Sequence, residues 1–510
     1  MRAGTTAIEA ARPIRIGWLW PSLLGLAALS LVLQLGASLN HDTAFTMIGA
    51  ERLLDGGRYG VDVVDPNLPL AYWIAVLPAA FAHLTGLGLG TSAILFTVAA
   101  GLAAAVLASA VLRCTSLEEA PRNALTVFAG AILLIAPGID FGQREHLMLI
   151  AGLPWVLAAG AAAQRAPMPG RLRIAIGIAA GLGFCLKPHF LLVPILVDCW
   201  LLLRTRSLTV AMRGENLALG ITGLVFALAV ILAAPDYLRS VVPDAAAVYW
   251  AFDSRPDFLL NLSPLLLPFV LAAVLARQDM RFPHPIAGAL LWASMGALLT
   301  AALQSKGWDY HWLPMLGFAA MACAAAYCGS FAWGTLSPRT GISAALVFAG
   351  AFGGLAGDAR DMYRSGGDAE QVERLASALR ENGRAGDSVF AFITSPRAVH
   401  PAILAANMRW SAAACCLQWV PAEVRSGERP DDALIRQVAQ RKRDGLLREL
   451  ERTRPSIFLV DDRPFKLGFG GRSFDYLDHF RSDPRFRAFW AGYRERRKVA
   501  GYRLFVRIES

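Results

Sequence analysis

Leu217-Ala-Leu-Gly-Ile-Thr-Gly-Leu-Val-Phe-Ala-Leu-Ala-Val-Ile-Leu-Ala-Ala234 runs for eighteen residues without a charge. As a helix it spans about 27 Å, close to the roughly 30 Å of bilayer hydrocarbon. In lipid a chain must satisfy its own backbone hydrogen bonds, and a helix does so within one segment. Working outward, Leu23–Leu35 and Ala93–Leu112 are equally free of charge, whereas Arg441–Arg454 is dense in it. The pattern predicts a polytopic α-helical membrane bundle followed by a small, soluble C-terminal α/β domain.

Composition agrees. The 510 residues are 55% hydrophobic and 17% charged, against about 25% charged in a soluble domain. The net charge of +10 reflects arginines in cytoplasmic loops and at anionic headgroups, not nucleic-acid binding. Arg2, Arg12 and Arg15 precede an apolar stretch from about Ile16 to Leu39. That stretch is too long for a signal-peptide core and is expected as a retained anchor. Cys114, Cys185, Cys199, Cys323 and Cys328 lie in or beside apolar runs, where cysteine acts as a small hydrophobe. Cys415 and Cys416 are adjacent and not expected to pair with each other; no metal-type CxxC spacing is present.

Twelve candidate spans follow: about 17–39, 69–86, 90–112, 123–140, 146–163, 172–186, 188–203, 216–234, 258–276, 284–304, 313–332 and 341–357. Arg165, Arg171 and Arg173 mark one cytoplasmic loop, Arg204, Arg206 and Arg213 a second, and Arg277 and Arg281 a third. The segments 142–145, 187–189, 235–257 and 306–311 then lie outside, with the tail. An inside N-terminus and an outside tail require an odd number of spans, so twelve conflicts with parity, and the conflict lies between Pro69 and Arg144. The bundle is expected over 1–357 and the extracytoplasmic domain over 358–510, with a first external loop at 40–68. In that loop Thr43–Leu54 has the spacing of an interfacial amphipathic helix. In the tail, Ala369–Asn382 and Asp431–Arg452 read as helices, and Asp387–Ile393, Ser456–Val460 and Tyr502–Ile508 as strands.

Charge at the mouth of a bundle is expensive unless it is used or paired. Four clusters fall on the same expected face. His41-Asp42 is either a solvated helix boundary or a general base. Gln143-Arg144-Glu145-His146 is either an interfacial ion pair or a phosphate and sugar site. Lys187-Pro188-His189 is either a snorkelling lysine or a phosphate clamp. Lys306-Gly307-Trp308-Asp309-Tyr310-His311-Trp312 is either an aromatic belt or a headgroup site. Together they point to an anionic, membrane-borne substrate.

The order of these features resembles the GT-C superfamily of membrane glycosyltransferases, in the branch of the aminoarabinose transferase of lipid A and the protein O-mannosyltransferases. The first span is followed by Asp42 and by Glu51-Arg52-Leu53-Leu54-Asp55-Gly56-Gly57. Asp65-Pro66-Asn67-Leu68-Pro69-Leu70-Ala71-Tyr72-Trp73 then resembles the family's KPPL-x-YW segment at the start of span two. Arg144-Glu145-His146 matches the second acidic position, and Lys187 closes a GLxxGLxxKP-like run over Gly177–Pro188. Two departures stand out: the family often has Asp-Glu where this chain has His41-Asp42, and the lysine before its two prolines is absent here.

The resemblance implies inverting transfer of a sugar from a polyprenyl-phosphate donor to a glycan, lipid or protein acceptor, outside the bacterial inner membrane. It implies Asp42 as general base and Glu145 with Arg144 as orienting groups. Lys187, Lys306, Tyr310, His311 and Tyr72 would bind the donor phosphate and substrate, and His41, Asp42 and Glu51 would be ligands of any divalent metal. The C-terminal domain would help recognise the acceptor. Rival readings are a transporter or flippase, which favours paired halves, and a ligase-type transferase with its key loop at Pro235–Asp257.

Overall fold

The computed structural model describes residues 17–254, 285–333, 342 and 368–508. The expected span at 258–276, nearly all of that at 341–357, the arginines at 2, 12, 15, 277 and 281, and the domain boundary at 357 lie outside the described residues. Among those described, five helices are long and apolar enough to cross a membrane: Leu89–Arg113, Arg144–Ala163, Pro188–Thr205, Gly214–Ala233 and Pro285–Gln304.

The bundle begins with α1 (Leu19–Leu35), then α2 (His41–Leu54), α3 (Leu70–Thr85), α4 (Leu89–Leu112) and α5 (Glu119–Leu134). It continues with α6 (Arg144–Ala163), α7 (Gly170–Phe184), α8 (Leu192–Thr205), α9 (Gly214–Ala233) and the short α10 (Val242–Val248). Two more helices follow, α11 (Pro285–Gln304) and α12 (Leu313–Trp333). Most coincide with the expected spans to within a few residues.

α3, sixteen residues long, measures about 24 Å and matches the expected element at 69–86 in extent. Both its ends stay beside α2: Tyr72 packs on Phe45 with ring centroids 6.1 Å apart, and His83 Nε2 lies 3.2 Å from Glu51 Oε1. The next helix also starts where α1 stopped, since a side chain at Gly90 would touch Leu39 at 3.4 Å. α3 thus packs lengthwise on α2, between the end of α1 and the start of α4.

Close helix contact explains the glycines of the GLxxGLxxKP-like run. A side chain at Gly177 would collide with the carbonyl oxygen of Glu215, and one at Gly181 would meet Thr222 Cβ at 2.6 Å. Small residues at this spacing let the backbones of α7 and α9 approach. Toward the end remote from α2, Arg173–Glu215 (2.9 Å), Arg213–Asp198 (2.7 Å) and Trp155 Nε1–Asn216 Oδ1 (3.1 Å) tie α6, α7, α8 and α9 together.

The C-terminal domain is built on a five-stranded sheet of order β2-β1-β3-β5-β4. Its strands are β1 (Ser388–Phe392), β2 (Arg409–Trp410), β3 (Ile457–Asp461), β4 (Tyr493–Val499) and β5 (Tyr502–Arg507). β1 pairs in parallel with β2 and β3, while β5 pairs antiparallel with β3 and β4. β3 is buried at every position, as expected of a strand covered on both faces. The domain docks on the first loop. Phe45 of α2 stacks on His400 at 5.0 Å, the Arg52 guanidinium donates to the carbonyls of Trp410 and Ala412, and Val64 N–H donates to Ala413 O at 2.9 Å.

Candidate active site

The first loop presents Asp42 because a cap starts the helix there. Asn40 Oδ1 accepts from the N–H groups of Asp42 (2.8 Å) and Thr43 (3.3 Å), satisfying two donors that a helix start leaves open. A carboxylate in that first turn also meets the positive end of the helix dipole. Arg144 is presented by a second helix start. Gly142 adopts φ +82°, where a side chain would be strained and would press on Thr43. Its N–H donates to His146 Nδ1 at 3.0 Å, and His146 Nε2–H donates to Leu133 O at 2.7 Å, which fixes the turn.

These two helix starts meet. Arg144 Nη2 lies 3.1 Å from Asp42 Oδ2, with His41 Nε2 3.6 Å from Asp42 Oδ1. Burial pushes the Asp42 carboxyl up, but His41, Arg144 and Lys187 together bring it below the ordinary carboxylate value. It is therefore an anion at neutral pH.

Asp42 and Arg144 open into a cavity of about 620 Å³ between the bundle and the C-terminal domain. His41, Asp65, Tyr72, Asp140, Tyr249, Trp308 and Tyr310 line its bundle side. The roof comes from segments following strands: 394–398 after β1, 415–418 after β2 and 463–467 after β3. Open α/β sheets bind ligands at the carboxyl ends of their parallel strands, where the strand order reverses. Here β1 lies between β2 and β3, so the cavity sits at such a reversal. Arg397, Arg463 and Lys466 bring cations to the roof.

The remaining expected residues are placed differently. Glu145 is buried below the cavity wall, 2.5 Å from Lys187 Nζ and 3.6 Å from His311 Nε2. Lys187 also donates to Gln304 Oε1 at 3.0 Å. Neither Glu145, Lys187, Lys306 nor His311 is among the lining residues. Burial and the nearby Lys187, Arg144 and Lys306 hold His311 well below its ordinary value, so it is a neutral hydrogen-bonding group and not a cation. Lys306 pairs with Asp253 at 2.5 Å and sits over the Tyr249 ring at 4.4 Å. Glu51 faces His83, away from Asp42. Among the described residues no group of three His, Cys, Asp or Glu side chains could hold a metal ion. His41, Asp42 and Glu51 thus do not form a metal cradle.

Sequence reasoning missed the roof and the cavity-lining role of Asp65, whose Oδ1 accepts from Asn67 N–H at 2.7 Å. The available signal was the turn formers after each strand.

No protein-family model and no curated protein matches the sequence. Solved structures do match. One is ArnT from Cupriavidus metallidurans bound to undecaprenyl phosphate, with 14% identity and a TM-score of 0.58 over 97% of this chain and 99% of that chain. A second is ArnT from the same organism in the apo state, with 14% identity and a TM-score of 0.55 over 96% and 99%. Over 97% of its length the chain thus shares the fold of ArnT.

Proposed function

We propose that this protein transfers a sugar, with inversion, from a polyprenyl-phosphate donor to a cell-envelope acceptor on the outer face of a bacterial inner membrane. One observation carries the reading: a carboxylate kept ionised, Asp42, faces a roofed cavity beside a buried arginine, Arg144. The undecaprenyl phosphate held by the similar ArnT structure supports the choice of donor class.

In this reading Asp42 accepts the proton of the acceptor's attacking oxygen. That oxygen bonds to the anomeric carbon from the face opposite the phosphate, and the polyprenyl phosphate leaves with the bonding pair. Arg144 stabilises the charge that grows on the leaving phosphate; its Nε carries no hydrogen bond among the described residues. Tyr72, Tyr249, Trp308 and Tyr310 offer ring faces and hydroxyls to the sugar. Glu145 is a positioning residue that neutralises buried Lys187 beside Arg144. The roof cations Arg397, Arg463 and Lys466 stand in for the lysine that the Asp65-Pro66-Asn67 segment lacks, and bind the acceptor or the donor phosphate.

The test is release of polyprenyl phosphate by the full chain in lipid nanodiscs. It is given a panel of labelled polyprenyl-phosphate sugars and an extract of envelope lipids and glycans. Release from at least one donor, dependent on the extract, is expected. Transbilayer movement of the donors without release would replace transfer with transport.

A further inference from the structure

Cys415 and Cys416 are adjacent in sequence, and their sulfurs touch: Sγ to Sγ is 3.1 Å. Both side chains are buried and both line the wall of the large cavity. Adjacency by itself argues against pairing, because neighbouring α-carbons are about 3.8 Å apart and a disulfide usually joins α-carbons about 4.4–6.8 Å apart. Their segment is also held from both sides. Ala413 O accepts from Val64 N–H at 2.9 Å, and Ala413 N–H donates to Glu449 Oε1 at 2.9 Å. Trp410 Nε1 donates to Ala414 O at 2.9 Å, and Leu417 N–H donates to Ile393 O at 2.8 Å. The clasp keeps the two thiols side by side at the cavity surface.

We propose that Cys415 and Cys416 are a redox modification site: a dithiol that closes reversibly to a vicinal disulfide in the wall of the cavity. The oxidant is a small-molecule disulfide small enough to enter that cavity. Donating its S–H to Cys416 Sγ, and buried, Cys415 is held as the thiol; in the proposed sequence Cys416 Sγ attacks first. It forms a mixed disulfide and releases one thiol of the reagent. Cys415 Sγ then displaces the second reagent thiol, closing the ring. Two protein thiols are oxidised, one reagent disulfide is reduced to two thiols, and protons and electrons balance. A ring spanning neighbouring residues is strained, and strained disulfides are the readily reduced, labile ones. The wall segment therefore has two covalent states that an envelope redox couple can interchange. It connects through Val64 to the first loop, which carries both Asp42 and Asp65.

The experiment uses the full chain in nanodiscs with oxidised glutathione as the oxidant. Free thiols are then alkylated, and the peptide containing both cysteines is weighed before and after reduction. The expected product has lost two hydrogens, resists alkylation at both sulfurs, and regains both thiols with reductant. The reduced protein is captured by an immobilised arsenical specific for neighbouring dithiols, and the oxidised protein is not. Cys415→Ser stops at a mixed glutathione disulfide on Cys416 and escapes the arsenical. A wild type that also stops at a mixed disulfide, or that remains alkylated at both sulfurs, overturns the proposal. These readouts do not involve sugar transfer, so their failure is distinct from failure of the proposed activity.

Discussion

Arg144 Nη2 lies 3.1 Å from Asp42 Oδ2, joining the first turns of two helices whose starts are about a hundred residues apart in sequence. The pair does two things. It keeps the carboxylate ionised in a cavity roofed by the C-terminal domain, and in the proposed reaction it holds the guanidinium toward the leaving phosphate. A carboxylate held this way is a modest base, so its effectiveness rests on position more than on basicity.

The pH dependence of turnover follows from that pairing. As the proposed base, Asp42 acts in its deprotonated form, so activity is expected to fall as pH falls through its value in the folded protein. With His41, Arg144 and Lys187 lowering that value, the acid limb of kcat/KM lies below the ordinary aspartate value of about 3.9. Arg144→Gln removes one lowering charge and moves the limb upward, which a pH–rate profile of the two proteins measures. An unchanged limb would disconnect Arg144 from the ionisation of Asp42.

Glu145 and Lys187 form a buried pair 2.5 Å apart. Removing one partner strands the other charge, at a cost of about 3–5 kcal/mol. Glu145→Gln and Lys187→Met each lower the Tm of the protein in nanodiscs, while the double substitution recovers most of the loss. Additive losses in the double variant would contradict the pairing.

The glycine face of α7 predicts a contrast. Gly181→Val forces a side chain against Thr222 and costs about 1–3 kcal/mol through overpacking. Gly170, with open space around its α-carbon, accepts alanine with little change. Thermal unfolding of both variants checks it, and equal Tm values would argue against close α7–α9 contact.

The packing of α3 along α2 predicts that α3 stays on the outer face, and topology tests it. With the native cysteines replaced, single cysteines at Thr85 and at Glu370 react with a membrane-impermeant thiol reagent added from the same side of the membrane. Opposite reactivity would return α3 to a membrane crossing.

Much of this organisation was legible in the sequence, and the misses have physical causes. Charge-free runs located the helices, because lipid admits few alternatives. Asp42 and Arg144 stood out as charges at the bundle mouth. An apolar sixteen-residue segment such as Leu70–Thr85 has the same composition whether it crosses or lies beneath α2. The packing of Tyr72 and His83 against α2 is tertiary, and composition does not carry it. Lys187 and Glu145 were visible as charges, but not that they face each other instead of a substrate. Arg397, Arg463 and Lys466 sit far along the chain on loops. Only the docking of His400 and the Trp410–Ala414 segment onto the first loop brings them over the cavity.

The most direct test of the central claim is polyprenyl-phosphate release by wild type and Asp42→Asn in nanodiscs, with equal Tm values verifying equal folding. Loss of a positioned general base lowers the rate on the order of 10²–10⁴-fold, and that fall is the expected result. Turnover by the Asp42→Asn variant within about threefold of wild type, against that expected range, would contradict the role of Asp42 as the base.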